Sequence, residues 1–256
     1  MPSILYQTEH LVVVDKPAGM LVHRTARDKN ETTFLVQTVR DMTGRHVYPV
    51  HRLDKPTSGA LILAFDPETT AELSRLLAER RLHRTYVALV RGWIHDPVRI
   101  DYPLTRVSVR DGGPADAPRR EAITVVEPVE LYNIKVPAGR YDSARYTYVK
   151  LHPETGRTHQ LRRHLKHVNH PMIGDRKYGD RDHNALWAAS ASAGPGVPGL
   201  MLHAQSVTLP DGTAVGSPLP ERFVRALNWL RMKNELAGDQ DQSEPTGPSG
   251  APPPWM

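Results

Sequence analysis

The stretch Val50-His51-Arg52-Leu53-Asp54-Lys55-Pro56-Thr57-Ser58-Gly59-Ala60-Leu61-Ile62-Leu63-Ala64-Phe65 decides how this chain is read. Its first half gathers His51, Arg52, Asp54, Lys55, Thr57 and Ser58 into one polar cluster. Its second half, Gly59 to Phe65, is apolar without helical spacing and opens on a glycine, so it reads as a buried strand. A carboxylate two residues from an arginine, in a Pro/Ser/Gly loop feeding such a strand, is a partly desolvated charge on a rigid support. Active sites are commonly built that way. Taken alone, Asp54 is read slightly in favour of a turn-capping residue over a nucleophile or general base.

Upstream, Ile4 to Tyr6 and Leu11 to Val14 read as short strands. The turn Asp15-Lys16-Pro17-Ala18-Gly19 and the extended run Met20 to Val22 follow. From Glu31 to Thr43 the period turns helical, with Leu35, Val39 and Met42 on one face and Gly44 as the stop. Downstream, Asp66-Pro67-Glu68 is a helix start, with a capping Asp, Pro at the first helical position and an early acid. Leu73, Leu76 and Leu77 give that helix its apolar face. Thr85 to Val90 is apolar on both faces, so it is expected inside a sheet.

Ser108 to Arg120 reads as a surface loop, and Ile123 to Val126 and Tyr146 to Leu151 as strands. Thr158 to Val168 is predicted helical with Leu161, Leu165 and Val168 inward. Ser190 to Gly199 is a small-residue loop, and Met201 to His203 and Ser206 to Leu209 suggest a strand pair. Arg222 to Lys233 is a last amphipathic helix. Residues 1–233 are expected to form the one domain, and residues 234–256, Pro/Gly/Ser-rich and aperiodic, a disordered tail. Strands and helices alternate irregularly, so the fold class is α+β and not a doubly wound sheet.

The chain has 256 residues, long enough for a substantial core. No apolar run approaches the roughly 18 residues of a membrane helix, and the N-terminus lacks signal-peptide character. The absence of cysteine excludes disulfides and thiol-ligated metal and fits a cytoplasmic protein. The net charge of +5 says less than its distribution. Between Arg157 and Lys177 stand Arg157, Arg162, Arg163, Lys166, Arg176 and Lys177, with Asp175 the one acid. His159, His164, His167 and His170 share this window. A solvated helix mixes both signs; a one-signed stretch favours an anionic ligand.

The histidine spacing does not fit an H-E-x-x-H zinc site, and no nucleotide-binding glycine loop or G-x-S-x-G elbow occurs, so neither metal nor cofactor is expected. Arg162, beside the inward-facing Leu161, needs a partner if it is drawn inward, and a carboxylate is the natural one. Tyr86 taken alone is an ordinary core tyrosine.

Read together, these segments closely resemble the RluA-type pseudouridine synthases. The resemblance is carried by His51-Arg52-Leu53-Asp54 with Thr57-Ser58-Gly59, by Arg84-Thr85-Tyr86-Val87-Ala88 and by Thr155-Gly156-Arg157-Thr158-His159-Gln160-Leu161-Arg162. His170-Pro171-Met172-Ile173-Gly174-Asp175 and Leu202-His203-Ala204 follow in the family's order. Asp15-Lys16-Pro17-Ala18-Gly19, Asp54-Lys55-Pro56 and Arg91-Gly92-Trp93 lean towards the TruC-like branch, the tRNA pseudouridine-65 synthases.

The resemblance implies the family's catalytic domain, a mixed and mostly antiparallel sheet with flanking helices. It implies isomerisation of uridine to pseudouridine in RNA, tRNA ahead of ribosomal RNA, without metal or cofactor; no obligate protein partner is expected, and the chain is read as a monomer. By matching position Asp54 is the nucleophile, Tyr86 the conserved tyrosine, Arg162 the buried arginine partner, and Arg52 the residue that holds the extruded base out of the stack. Arg157, His159, Arg163 and Lys166 are expected to contact RNA. One departure from the pattern is Arg84, where the family often carries Lys. Two alternatives stay open: a 23S ribosomal RNA enzyme of the same family, and a catalytically silent RNA-binding protein.

Overall fold

The computed structural model describes residues 1–24, 32–106, 112–114, 116–189 and 194–238, with the backbone alone at 235–238. The elements run β1 (Ser3–Gln7), β2 (Leu11–Lys16), α1 (Leu35–Thr43), β3 (Tyr48–Pro49), β4 (Ser58–Ala64), α2 (Pro67–Ala78), β5 (His83–Arg91) and β6 (Val98–Asp101). Then come β7 (Leu104–Thr105), β8 (Arg119–Arg120), β9 (Ile123–Ile134), β10 (Ala144–Pro153), α3 (Gln160–His167), α4 (Arg181–Ala188), β11 (Leu202–Thr208), β12 (Ala214–Gly216) and α5 (Glu221–Gly238).

Ten strands form one sheet in the order β1-β2-β4-β11-β5-β10-β9-β6, with β3 added to β4 and β12 to β11. Among the described residues the pairing is antiparallel except between β4 and β11. The α+β expectation therefore holds, and the opening stretch supplies a strand near the sheet's centre. All seven residues of β4 are buried. Full burial of a Leu or Ile side chain contributes about 1.5–3 kcal/mol, so Leu61, Ile62 and Leu63 alone anchor this strand firmly.

Alternation of side chains along each strand divides the core. Val12, Val14, Leu61, Leu63, Tyr86, Ala88 and Leu202 face one side, where Leu35 and Val39 of α1 and Leu161 and Leu165 of α3 cover them. On the other side α2 packs Leu73 and Leu76 onto Val13, Ala60 and Ile62. Further along that side, Trp187 of α4 and Phe223, Ala226 and Leu230 of α5 lie against Val87, Leu89 and Tyr146.

Several boundaries differ from the sequence reading. Asp66 does cap α2, accepting from Thr69 N–H at 2.7 Å, but Met42 is exposed, because α1 presents only Leu35 and Val39 to the core. The predicted start of that helix at Glu31 lies outside the described residues. β9 extends eight residues beyond Val126, past a register shift where Pro128 meets Val149. The expected pair at 201–209 is one strand, β11, which hairpins with β12. Helix α4 had no expectation, and α5 continues past residue 233 to Gly238. Residues 239–256 of the expected tail, with 108–111, 115 and 190–193 of the expected loops, lie outside the described residues. No described helix is long and apolar enough to cross a membrane.

Candidate active site

Asp54 sits on the loop that feeds β4, and the loop is pinned from below. Thr57 N–H closes a turn onto Asp54 C=O at 3.0 Å. Lys55 C=O accepts from Gly19 N–H at 2.8 Å and from the Lys16 ammonium at 3.3 Å. Lys16 is wholly buried and donates also to Met20 C=O (2.8 Å) and Pro17 C=O (3.0 Å). Burial pulls its pKa down to about 7, against the opposing pull of Asp54. Gly59 follows at φ +115°, where a Cβ would collide with the Ala204 carbonyl, so only glycine lets β4 close on β11 here.

Helix α3 and strand β5 deliver the other groups. Arg162 is buried, and its Nη1 donates to Asp54 Oδ2 at 3.0 Å. Its remaining donors are fixed by Asp175, with Nε to Oδ2 at 2.7 Å and Nη2 to Oδ1 at 2.8 Å. Asp175 Oδ1 accepts also from the backbone N–H groups of Lys177 and Tyr178. Burial pushes the Asp175 carboxyl up, but the Arg162 bonds and these amides outweigh it, so it stays below the ordinary carboxylate range. Arg162 is thus a rigid bridge between a fully buried acid and the half-buried Asp54.

His159, in the left-handed region at φ 53°, begins α3. Its Nδ1 lies 3.0 Å from Tyr178 Oη and its Nε2 3.8 Å from Asp54 Oδ2. Gln160 staples the preceding loop to β9. Its Oε1 accepts from Thr155 Oγ1 and Arg157 N–H, and its Nε2 donates to Ile123 C=O. Tyr86 is nearly buried and lines the same cavity as Asp54, so Asp54, Tyr86 and Arg162 do converge. The cavity has a volume of about 270 Å³. That is below the roughly 300–1,000 Å³ of drug-sized pockets and suits a single flipped base.

Arg52, Arg157 and His159 also line the cavity, Arg52 as an exposed residue. Arg163 and Lys166 do not. Arg163 instead donates to Thr105 C=O at 2.8 Å and to Thr105 Oγ1 at 3.1 Å, which ties β7 to α3. His164, counted in the cationic stretch, is buried between Thr124 Oγ1 and Tyr102 C=O, and burial lowers its pKa to about 4. Burial also lowers His159, His167 and His170. The positive charge of this stretch at neutral pH therefore comes from its arginines and lysines.

Asp175, Tyr178, Gln160 and Arg84 were not singled out as site residues. The lone acid of a cationic window was the available signal for Asp175. Among the described residues, no group of three or more His, Asp or Glu side chains is arranged to hold a metal ion.

The cavity thus sets a single carboxylate, charge-paired to arginine, among Arg52, Arg84, Arg157 and Arg162 on a mixed sheet, a lining that fits an anionic ligand. Residues 10–167 match the family model described as RNA pseudouridylate synthase, and the chain belongs to that family. It is 42% identical over 81% of its length to tRNA pseudouridine synthase C of Vibrio cholerae, covering 84% of that protein. It is 44% identical over 91% of its length to tRNA pseudouridine synthase C of Haemophilus influenzae, covering all of it. Human RNA pseudouridylate synthase domain containing 4 has a similar solved structure, with TM-score 0.66 and 26% identity over 90% of this chain and 93% of that one. The chain is an RNA pseudouridine synthase, an isomerase whose substrate is RNA.

Proposed function

We propose that this enzyme converts uridine 65 of tRNA to pseudouridine, with Asp54 as the nucleophile. The observation that carries the reading is the 3.0 Å contact between Asp54 and the immobilised Arg162 inside a base-sized cavity. The choice of tRNA is supported by the relatives named tRNA pseudouridine synthase C. The position is supported by the TruC-like motifs around Lys16 and Pro56.

In this reading the target base leaves its stack, at a cost of about a few kcal/mol, and Tyr86 receives its face. Aromatic stacking returns roughly 1–3 kcal/mol. Asp54 then acts on the sugar or the pyrimidine while the C1′–N1 bond breaks and a C1′–C5 bond forms. Arg52 and Arg157, at the cavity, meet phosphate or hold the base out. The enzyme works as a cytoplasmic monomer; one chain supplies Asp54, Tyr86 and Arg162, which supports this.

Mapping pseudouridine in total RNA from cells lacking the protein tests the reading. Loss confined to tRNA position 65 is expected. Loss in ribosomal RNA alone would overturn the substrate, and an unchanged map would overturn the function.

A further inference from the structure

Arg84 is more than nine-tenths buried at the cavity, two residues before Tyr86 on the same face of β5. Among the described residues no carboxylate comes within ion-pair distance of it. Its carbonyl contacts are long, Nη2 to Thr155 C=O at 3.3 Å and to Pro153 C=O at 3.5 Å, and its other partner is the neutral Tyr86 hydroxyl. Its Nε has no partner.

Arg162, buried to the same degree, has two carboxylates. Lys16, also buried without an acid in bonding contact, can release its proton. An arginine cannot, so Arg84 keeps its charge in a poorly solvated place. Such a cation is poised for negative charge that enters from outside. Two anionic groups could enter with the RNA, a phosphate or the reacting base. The rim already has the exposed Arg52 and the half-exposed Arg157 for phosphate, whereas Arg84 lies deep beside the aromatic residue that would face the base.

We infer that Arg84 is a catalytic residue that stabilises the negative charge developing on uracil during isomerisation. When the C1′–N1 bond breaks, its electron pair leaves with the base, and one negative charge spreads over N1, O2 and O4. The sugar is balanced by a bond from Asp54 to C1′ or by loss of the C2′ proton. When C5 bonds to C1′, the base supplies the pair, and the Asp54–C1′ bond breaks with its pair returning to the carboxylate, or C2′ regains its proton; the C5 hydrogen then leaves as a proton, and N1 takes up a proton in the product. If Asp54 first adds to the pyrimidine, the charge falls on O4 instead. A fixed cation buried in the cavity wall favours the charged base on either course and in both of its orientations. The inference rests on the proposed uridine chemistry at Asp54.

The test compares wild type, Arg84→Lys and Arg84→Gln under single-turnover conditions. The substrates are an in vitro transcribed tRNA with uridine at position 65 and the same RNA with 5-fluorouridine there. The readouts are RNA affinity by filter binding and loss of the C1′–N1 bond by mass spectrometry of nuclease digests. Arg84→Gln is expected to slow bond loss on uridine by about 10²–10³-fold, as removal of an oxyanion donor does, with RNA affinity nearly unchanged and partial recovery in Arg84→Lys. On 5-fluorouridine, whose base carries the anion more easily, the deficit should narrow at least about tenfold.

An unchanged rate, or weakened RNA binding with unchanged single-turnover rate, would overturn the inference; the second result would assign Arg84 to a phosphate. Equal deficits on both bases would also overturn it and leave Arg84 a structural role. The ratio between bases is taken within one variant, so partial misfolding does not alter it. The wild-type arm on uridine tests the functional reading separately.

Discussion

Arg162 and Asp175 form a two-pronged ion pair at 2.7 and 2.8 Å, and that pair leaves Arg162 Nη1 as the one guanidinium nitrogen aimed at Asp54. The geometry of the Asp54 carboxylate is therefore set from a second, fully buried acid. Arg162→Met would strand Asp175 without its counter-charge. Breaking a buried pair from one side costs about 3–5 kcal/mol, so chemical melts should show a loss of that order together with loss of activity. Arg162→Lys should rescue little, because a point charge cannot span both carboxylates.

Lys16 provides a pH signature. Its ordinary pKa is 10.5 and burial brings it to about 7 in the folded chain. Between these values the unfolded chain binds the additional proton, so stability rises with pH across that window and the full penalty applies below about 7. Urea melts of wild type and Lys16→Met at about pH 6, 8 and 10 should show the stability of wild type, relative to the variant, climbing with pH. A flat difference would contradict a buried, easily deprotonated Lys16.

Arg52 and Arg163 should separate in salt dependence. Each phosphate contact contributes roughly 0.7–0.9 to the slope of log affinity against log salt. Arg52→Ala should flatten the slope by about one contact. Arg163→Ala should leave the slope unchanged and lower stability, because its donors hold Thr105. Filter binding over a salt series, with melts alongside, checks both.

Gly59→Ala should be among the most damaging small substitutions. The added methyl meets the Ala204 backbone, and the residue's φ of +115° is hostile to a side chain. A loss of about 3 kcal/mol or more in thermal or urea unfolding is expected. Gly44→Ala, with open space around it, should cost much less.

The opening stretch was legible because its chemistry is local. The polar loop, the apolar run of β4 and the Asp66 cap each declare themselves within a few residues. β9 was only partly legible, since Glu127 and Glu130 are not inward-facing and Pro128 interrupts the pattern at a register shift. Helix α4 mixes Arg181, Asp182, His183 and Asn184 with few apolar residues, so its period is weak. The bonds of Arg163 to Thr105 and of His164 to Thr124 and Tyr102 were not legible, because charge in sequence does not say which way a side chain turns. The Asp54–Arg162 contact spans 108 residues, and the uncompensated charge of Arg84 is visible only once the fold closes around it.

The central claim is that Asp54 performs the isomerisation. Asp54→Ala, incubated with an in vitro transcribed tRNA, tests it most directly through pseudouridine counted by mass spectrometry and RNA binding measured on the same preparation. The expected result is no pseudouridine above the enzyme-free control with RNA still bound. Pseudouridine formed at the wild-type rate would contradict it.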